Sequence, residues 1–296
     1  MSYPLRLVDE RPLPADYDGP VHVWDVDQTY LDTDLSSLAG MLRIPLEMAI
    51  DKRTIPGVVA VLRECRRGPG PRPASVPLYF VSASPPQLEG VIRRRMLLDG
   101  VEPDGFVMKD QLALALRGAF RRLRTQVEYK LTALWSLIAV LPPRARLVLV
   151  GDDWESDASV FARLAAVQAG ELAPDALPEA LAGAGVADPP ALVELARRAQ
   201  GRARVESACV LLTRGRDPSA FEAHRPVVRA AREAFQLAAV LLDGGFIAAA
   251  GAARVARRLR EARGWTRAAF VESLADLSAR RLVSDETLVV LRDALP

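Results

Sequence analysis

The chain has 296 residues, half of them hydrophobic and 26% charged. That is ordinary globular composition, enough for one large or two modest domains and not that of a disordered or fibrous protein. The net charge of +2 supplies no global pull toward nucleic acid, and Cys65 and Cys209 share no metal-ligand spacing and fit a reducing compartment.

Residues 1–20 read as a lead-in with turns at Pro12, Pro14 and Gly19-Pro20. The start, Met1-Ser2-Tyr3-Pro4, has no basic-then-apolar leader, and no stretch reaches the length of a membrane span, so a cytoplasmic protein without a transmembrane segment is expected. Val21-His22-Val23-Trp24-Asp25 reads as a buried strand running into Asp25, Asp27 and Thr29. A polar loop follows at Asp32, Thr33 and Asp34, and Ile55-Pro56-Gly57 opens a helix from Val58 to Arg66. After the Gly/Pro loop 68–73, Pro77–Val81 is a second apolar run that ends in Ser82-Ala83-Ser84-Pro85, and a helix spans Gln87 to Leu98. Residues 111–124 read as a basic helix with Arg117, Arg121, Arg122 and Arg124, taken as a solvated face. Lys130 enters the helix Leu131–Val140, and Arg146–Val150 is a third apolar strand, running into Gly151-Asp152-Asp153-Trp154-Glu155-Ser156-Asp157 and a helix from Ala158 to Gln168. Residues 170–200 look like a helical insertion, and Val205–Leu212 is one more strand. The remainder reads as helix throughout: Phe221–Leu242, Phe246–Arg263, and Arg267–Leu295 with a turn near Val283-Ser284.

Strand, polar loop and helix thus alternate, and strands apolar along their whole length are buried on both faces. The expected fold is a doubly wound parallel α/β sheet. Its sheet domain spans 1–216, with an appended helical C-terminal region at 217–296. In such sheets ligands bind at the carboxyl ends of the strands, where the polar clusters fall. Asp25 and Asp27 are two residues apart, the spacing that puts side chains on one face of an extended chain. Carboxylates so close repel, so one takes a proton or both meet a cation. A site that handles phosphate with a divalent metal uses that arrangement. A calcium loop starting at Asp25 fails, because Tyr30 stands where Gly is needed and Ser36 where a bidentate Glu is needed.

Asp25-x-Asp27-x-Thr29, Ser82, Lys130 and Gly151-Asp152 with Asp157 resemble, in order, the four motifs of the haloacid dehalogenase-like superfamily. Within it, Tyr79–Leu88 and Leu149–Asp157 resemble the catalytic domain of actin-patch-type phosphatidate phosphatases, over roughly residues 20–215. Pro86 stands where that pattern has an aromatic and Asp153 where it has Ser. The resemblance implies a Mg2+-dependent phosphatase with Asp25 as nucleophile and Asp27 as general acid and base. It implies that Mg2+ is held by Asp25, the backbone carbonyl of Asp27 and Asp152, with Asp157 in support. Ser82 would donate to the phosphoryl group, with Thr29 supporting the loop, and Lys130 would neutralise charge. Ser84 competes with Ser82 and Lys109 with Lys130. The implied substrate is a phosphate monoester, either a phosphorylated small molecule or a phospholipid such as phosphatidate. The competing reading is a catalytically weak phospho-ligand binder that acts through a protein partner of the C-terminal helices.

Overall fold

A computed structural model describes residues 3–32, 53–116, 126–154 and 156–295. Thr33 and Asp34 of the expected polar loop and the arginines from Arg117 to Arg124 lie outside the described residues, as does Glu155.

The four apolar runs form strands: β2 (Pro20–Asp25), β3 (Leu78–Ser82), β5 (Arg146–Asp152) and β6 (Arg204–Leu211). Three further strands had not been expected: β1 (Leu5–Asp9), β4 (Gly105–Lys109) and β7 (Val228–Ala231). Among the described residues these make one seven-stranded sheet in the order β1-β4-β3-β2-β5-β6-β7. Only β1 runs antiparallel, against β4. Gly105 is needed at that seam, because a Cβ there would lie 2.4 Å from the Val8 carbonyl oxygen and 2.7 Å from the Tyr79 ring.

Strand side chains alternate between faces. Val21, Val23, Tyr79, Val81, Leu147 and Leu149 enter one core cluster, and Trp24, Leu78, Phe80, Val148 and Val150 the other. The helices α1 (Val58–Arg67) and α2 (Glu89–Leu98) carry the chain from β2 to β3 to β4 and pack on the Trp24 face. After β4 the winding reverses. Helices α3 (Gln111–Leu116) and α4 (Gln126–Val140) lead back to β5 beside β2. From there α5 (Asp157–Ala169), α6 (Leu177–Ala180) and α7 (Pro189–Ala199) lead to β6. A right-handed crossover that changes direction must change face. Accordingly Leu131, Leu134, Trp135, Val160, Phe161, Leu164 and Leu192 pack on the Val23 face. The crevice where the winding reverses, at β2 and β5, is where such sheets bind ligands.

This winding leaves the Trp24 face of β5, β6 and β7 without a crossover helix. The C-terminal stretch fills it. Residues 217–296, expected as helix throughout, first form a 3-10 segment (Pro218–His224) and β7, and only then α8 (Ala234–Asp243), α9 (Ala249–Arg263), α10 (Arg267–Ala279) and α11 (Asp285–Asp293). Phe235, Leu237, Val240 and Leu241 of α8 share a core cluster with Val148, Val150, Cys209, Leu211 and Ala231. Each Phe, Leu or Val side chain among them stabilises the fold by about 1.5–3 kcal/mol. Phe270, Leu274, Leu288 and Leu291 extend the same cluster outward. Among the described residues, no helix is long and apolar enough to cross a membrane.

Candidate active site

β2 ends at Asp25 because the chain then folds back on itself. The Tyr30 and Leu31 N–H groups both donate to the Val26 carbonyl, at 3.0 and 2.8 Å, and the Gln28 N–H donates to the Leu31 carbonyl at 2.8 Å. Gln28 takes φ 60, a left-handed conformation that costs a non-glycine residue free energy and recurs at functional loops. Thr29 inside this loop is fully buried.

The loop delivers Asp25 to a carboxylate cluster. One ligand oxygen from each of Asp25, Asp152 and Asp157 lies within 4.8 Å of the others, and all three residues are buried. Asp25 ends β2, Asp152 ends the neighbouring β5, and Asp157 opens α5. Gly151 makes the last placement feasible, since a Cβ there would sit 2.0 Å from Asp157 Oδ2. That oxygen accepts the Asp152 N–H at 3.1 Å, while Asp157 Oδ1 accepts from the Lys130 ammonium. Lys130 is buried on α4, with its Nζ also 3.4 Å from Asp25 Oδ1. Lys109 ends β4, buried with its ammonium 5.4 Å from the centre of the Tyr129 ring. The structure brings Lys130 to the carboxylates.

The Asp27 side chain is not part of this cluster. Its Oδ2 accepts from Ser82 Oγ at 3.2 Å and from Ser84 Oγ at 3.1 Å, and the Ser84 N–H donates to Ser82 Oγ at 3.1 Å. Both serines thus reach Asp27, with Ser82 the more deeply buried. The Tyr129 hydroxyl donates to the Ser82 carbonyl and, at 3.2 Å, to that of Val107, pinning the end of β3.

Spacing gave no hint of a third wall. Asp153, 1% exposed, accepts the N–H groups of Arg214 at 2.8 Å and Arg216 at 3.0 Å. Thr213 Oγ donates to the Gln28 carbonyl at 3.1 Å. The turn after β6 is thereby tied both to the Asp25 loop and to the Asp152 loop. The Arg214 guanidinium lies 5.2 Å from the ring centre of Trp154, which is 41% exposed. Only a folded chain brings residues 153 and 214 together.

Three buried carboxylates gather beside the Lys130 ammonium, and their donors are all hard oxygens. That set is compatible with a divalent metal ion. Asp25 and Asp152 fit as direct ligands, while Asp157, with one oxygen on Lys130 and the other on a backbone N–H, fits as support.

No curated protein and no solved structure matches this chain. One family model does, that of the phosphatidate phosphatase APP1 catalytic domain, over residues 21–173. The match covers just over half of the chain and takes in Asp25, Asp27, Ser82, Lys130, Asp152 and Asp157, though not the turn at Arg214. The chain belongs to the phosphatidate phosphatase APP1 catalytic-domain family.

Proposed function

We propose that the chain is a Mg2+-dependent phosphatase of haloacid dehalogenase type, acting on a phosphate monoester of the phosphatidate kind through an aspartyl-phosphate. The observation that carries this reading is the packing of Asp25, Asp152 and Asp157 around the buried Lys130 ammonium at the ends of neighbouring strands. Family membership supports the substrate class.

In the first step an Asp25 carboxylate oxygen attacks phosphorus, and the ester oxygen leaves with a proton from Asp27. Ser82 and Ser84 both hold Asp27 Oδ2, so its carboxyl is aimed before substrate arrives. In the second step Asp27 takes a proton from water, which attacks the acyl phosphate, releasing inorganic phosphate and restoring Asp25. Lys130 offsets the charge that gathers on Asp25 and the phosphoryl oxygens. Asp25, the Asp27 carbonyl and Asp152 would hold Mg2+, supported by Asp157. When bound, the metal neutralises phosphoryl charge and orients the group for in-line attack.

The test is phosphate release from an aryl phosphate and from phosphatidate in mixed micelles. Asp25→Asn should lower both by roughly a thousandfold or more, and chelation should abolish both until Mg2+ is returned. Full turnover by Asp25→Asn or in chelator would overturn the reading.

A further inference from the structure

The molecule carries its charge unevenly. Helix α1 holds Arg63, Arg66 and Arg67 against Glu64, and α2 holds Arg93, Arg94 and Arg95 against Glu89. Helix α9 holds Arg254, Arg257, Arg258, Arg260 and Arg263 against Glu261 alone. Each of the three is strongly basic in a chain whose net charge is only +2, so the rest of the molecule is acidic.

These helices adjoin one another. Arg63 of α1 donates to the Asp99 carbonyl just past α2. On the other side of α1, Arg254 of α9 forms a paired hydrogen bond with Glu64, at 2.7 and 2.6 Å. Between α1 and α9 runs a groove of about 260 Å³ lined by Ala60, Arg63, Glu64, Arg254, Arg257, Arg258 and Glu261. The helices run antiparallel, because a Cβ on Gly57 would meet Leu259 while Glu64 faces Gly251. The C-terminal half of α9, with exposed Arg257, Arg258, Arg260 and Arg263, therefore lies at the same end of the molecule as the start of α1. That is the end where the Asp25 loop sits, since the Ile55 N–H donates to the Tyr30 carbonyl at 3.0 Å. The basic face thus borders the rim of the active site.

The same layer of helices also exposes two large apolar side chains at the end of α2 away from that rim, Leu97 at 78% and Leu98 at 62%. Exposed leucines at one end of a basic helical layer suit a lipid interface along it, where the apolar groups enter the headgroup region and the charges meet anionic lipid. A nucleic acid offers nothing for the leucines.

We propose that the α2–α1–α9 face docks the protein on an anionic phospholipid bilayer, with lipid phosphates seated at the arginine groove and the catalytic rim beside the membrane. The proposal takes its purpose from the phosphatidate reading, but docking is measured without turnover. The full chain is sedimented with vesicles of phosphatidylcholine alone, and with vesicles also containing phosphatidylglycerol, at low and high salt. It should bind the anionic vesicles only, and more weakly at high salt. At roughly fivefold per arginine near the surface, the combined Arg257→Gln, Arg258→Gln, Arg260→Gln and Arg263→Gln variant should bind well over tenfold more weakly. The combined Leu97→Ser and Leu98→Ser variant, on a different helix, should also lose binding. Both should keep wild-type hydrolysis of a soluble aryl phosphate. Binding to neutral vesicles as strong as to anionic ones, wild-type binding by both variants, or preference for a DNA duplex over anionic vesicles would overturn docking. Vesicle binding by a protein that releases no phosphate would sink the catalytic reading and leave docking standing.

Discussion

The Lys130 ammonium donates directly to the Asp157 carboxylate, and both groups are buried. A second carboxylate, Asp25, stands 3.4 Å from the same nitrogen. Lysine is rare in this chain, at Lys52, Lys109 and Lys130 against 36 arginines. A compact ammonium fits between two carboxylates where a planar guanidinium would not.

Removing that charge should cost both stability and activity. Lys130→Met leaves buried carboxylates facing one another, a loss of about 3–5 kcal/mol for breaking a buried pair. Millimolar Mg2+ should return part of this stability by binding the folded state, whereas activity should stay low. Urea titrations with and without Mg2+, beside phosphatase assays, test both statements. A variant as stable and as active as wild type would refute them.

Asp153 holds the Arg214–Arg216 turn against the site through two backbone N–H groups. Asp153→Ala strands both donors, at a cost of about 1–3 kcal/mol each when buried. If the turn bearing Arg214 contacts substrate, KM should rise more than kcat falls, and Asp153→Asn, which keeps one acceptor, should lie between. Equal loss of kcat at unchanged KM would place the effect on the catalytic carboxylates instead.

Asp153 carries no sequence signal for this contact, unlike the residues that end the strands. Asp25 and Asp152 were legible because each ends an apolar strand that must face the ligand crevice, and Lys130 because the family pattern places a lysine on the helix that feeds the strand of Asp152. β2, β3, β5 and β6 were legible because their residues are apolar and fully buried for most of their length. β1 mixes apolar and charged residues without strict alternation on a half-buried edge, and β7 is a four-residue strand with two alanines, which have low strand propensity. β4 lies between Gly105 and Lys109, where glycine reads as a turn until the Val8 carbonyl is seen against it. The Asp153 clamp joins residues about sixty positions apart, and no local pattern encodes such a contact.

His22 of β2 is fully buried beside Phe246, with neither ring nitrogen hydrogen-bonded. Burial pushes its pKa down to about 3. Its unfolded value is near 6.5, so between these two values the unfolded chain binds the extra proton and stability falls as pH drops. Above 6.5 the group contributes no slope. From pH 7 to pH 5 the loss due to His22 should be about 2 kcal/mol. Urea unfolding of wild type and His22→Leu at both pH values measures it as the difference in slopes. Identical pH dependence in the two proteins would show that His22 is not the cause.

The packing of α8 against the outer strands gives the sharpest test of how the chain is divided. A chain ending at Arg216 would keep Asp25, Lys130, Asp152 and Asp157. It would lose β7 and uncover Val148, Val150, Cys209 and Leu211 on the Trp24 face. β6 would become an exposed apolar edge, which invites pairing between chains. The truncated protein should be insoluble, or bind a hydrophobic dye and unfold without cooperativity, although every carboxylate of the site is present. A soluble 1–216 fragment with a cooperative transition and full aryl phosphatase activity would show that the last eighty residues are an addition to a self-sufficient domain.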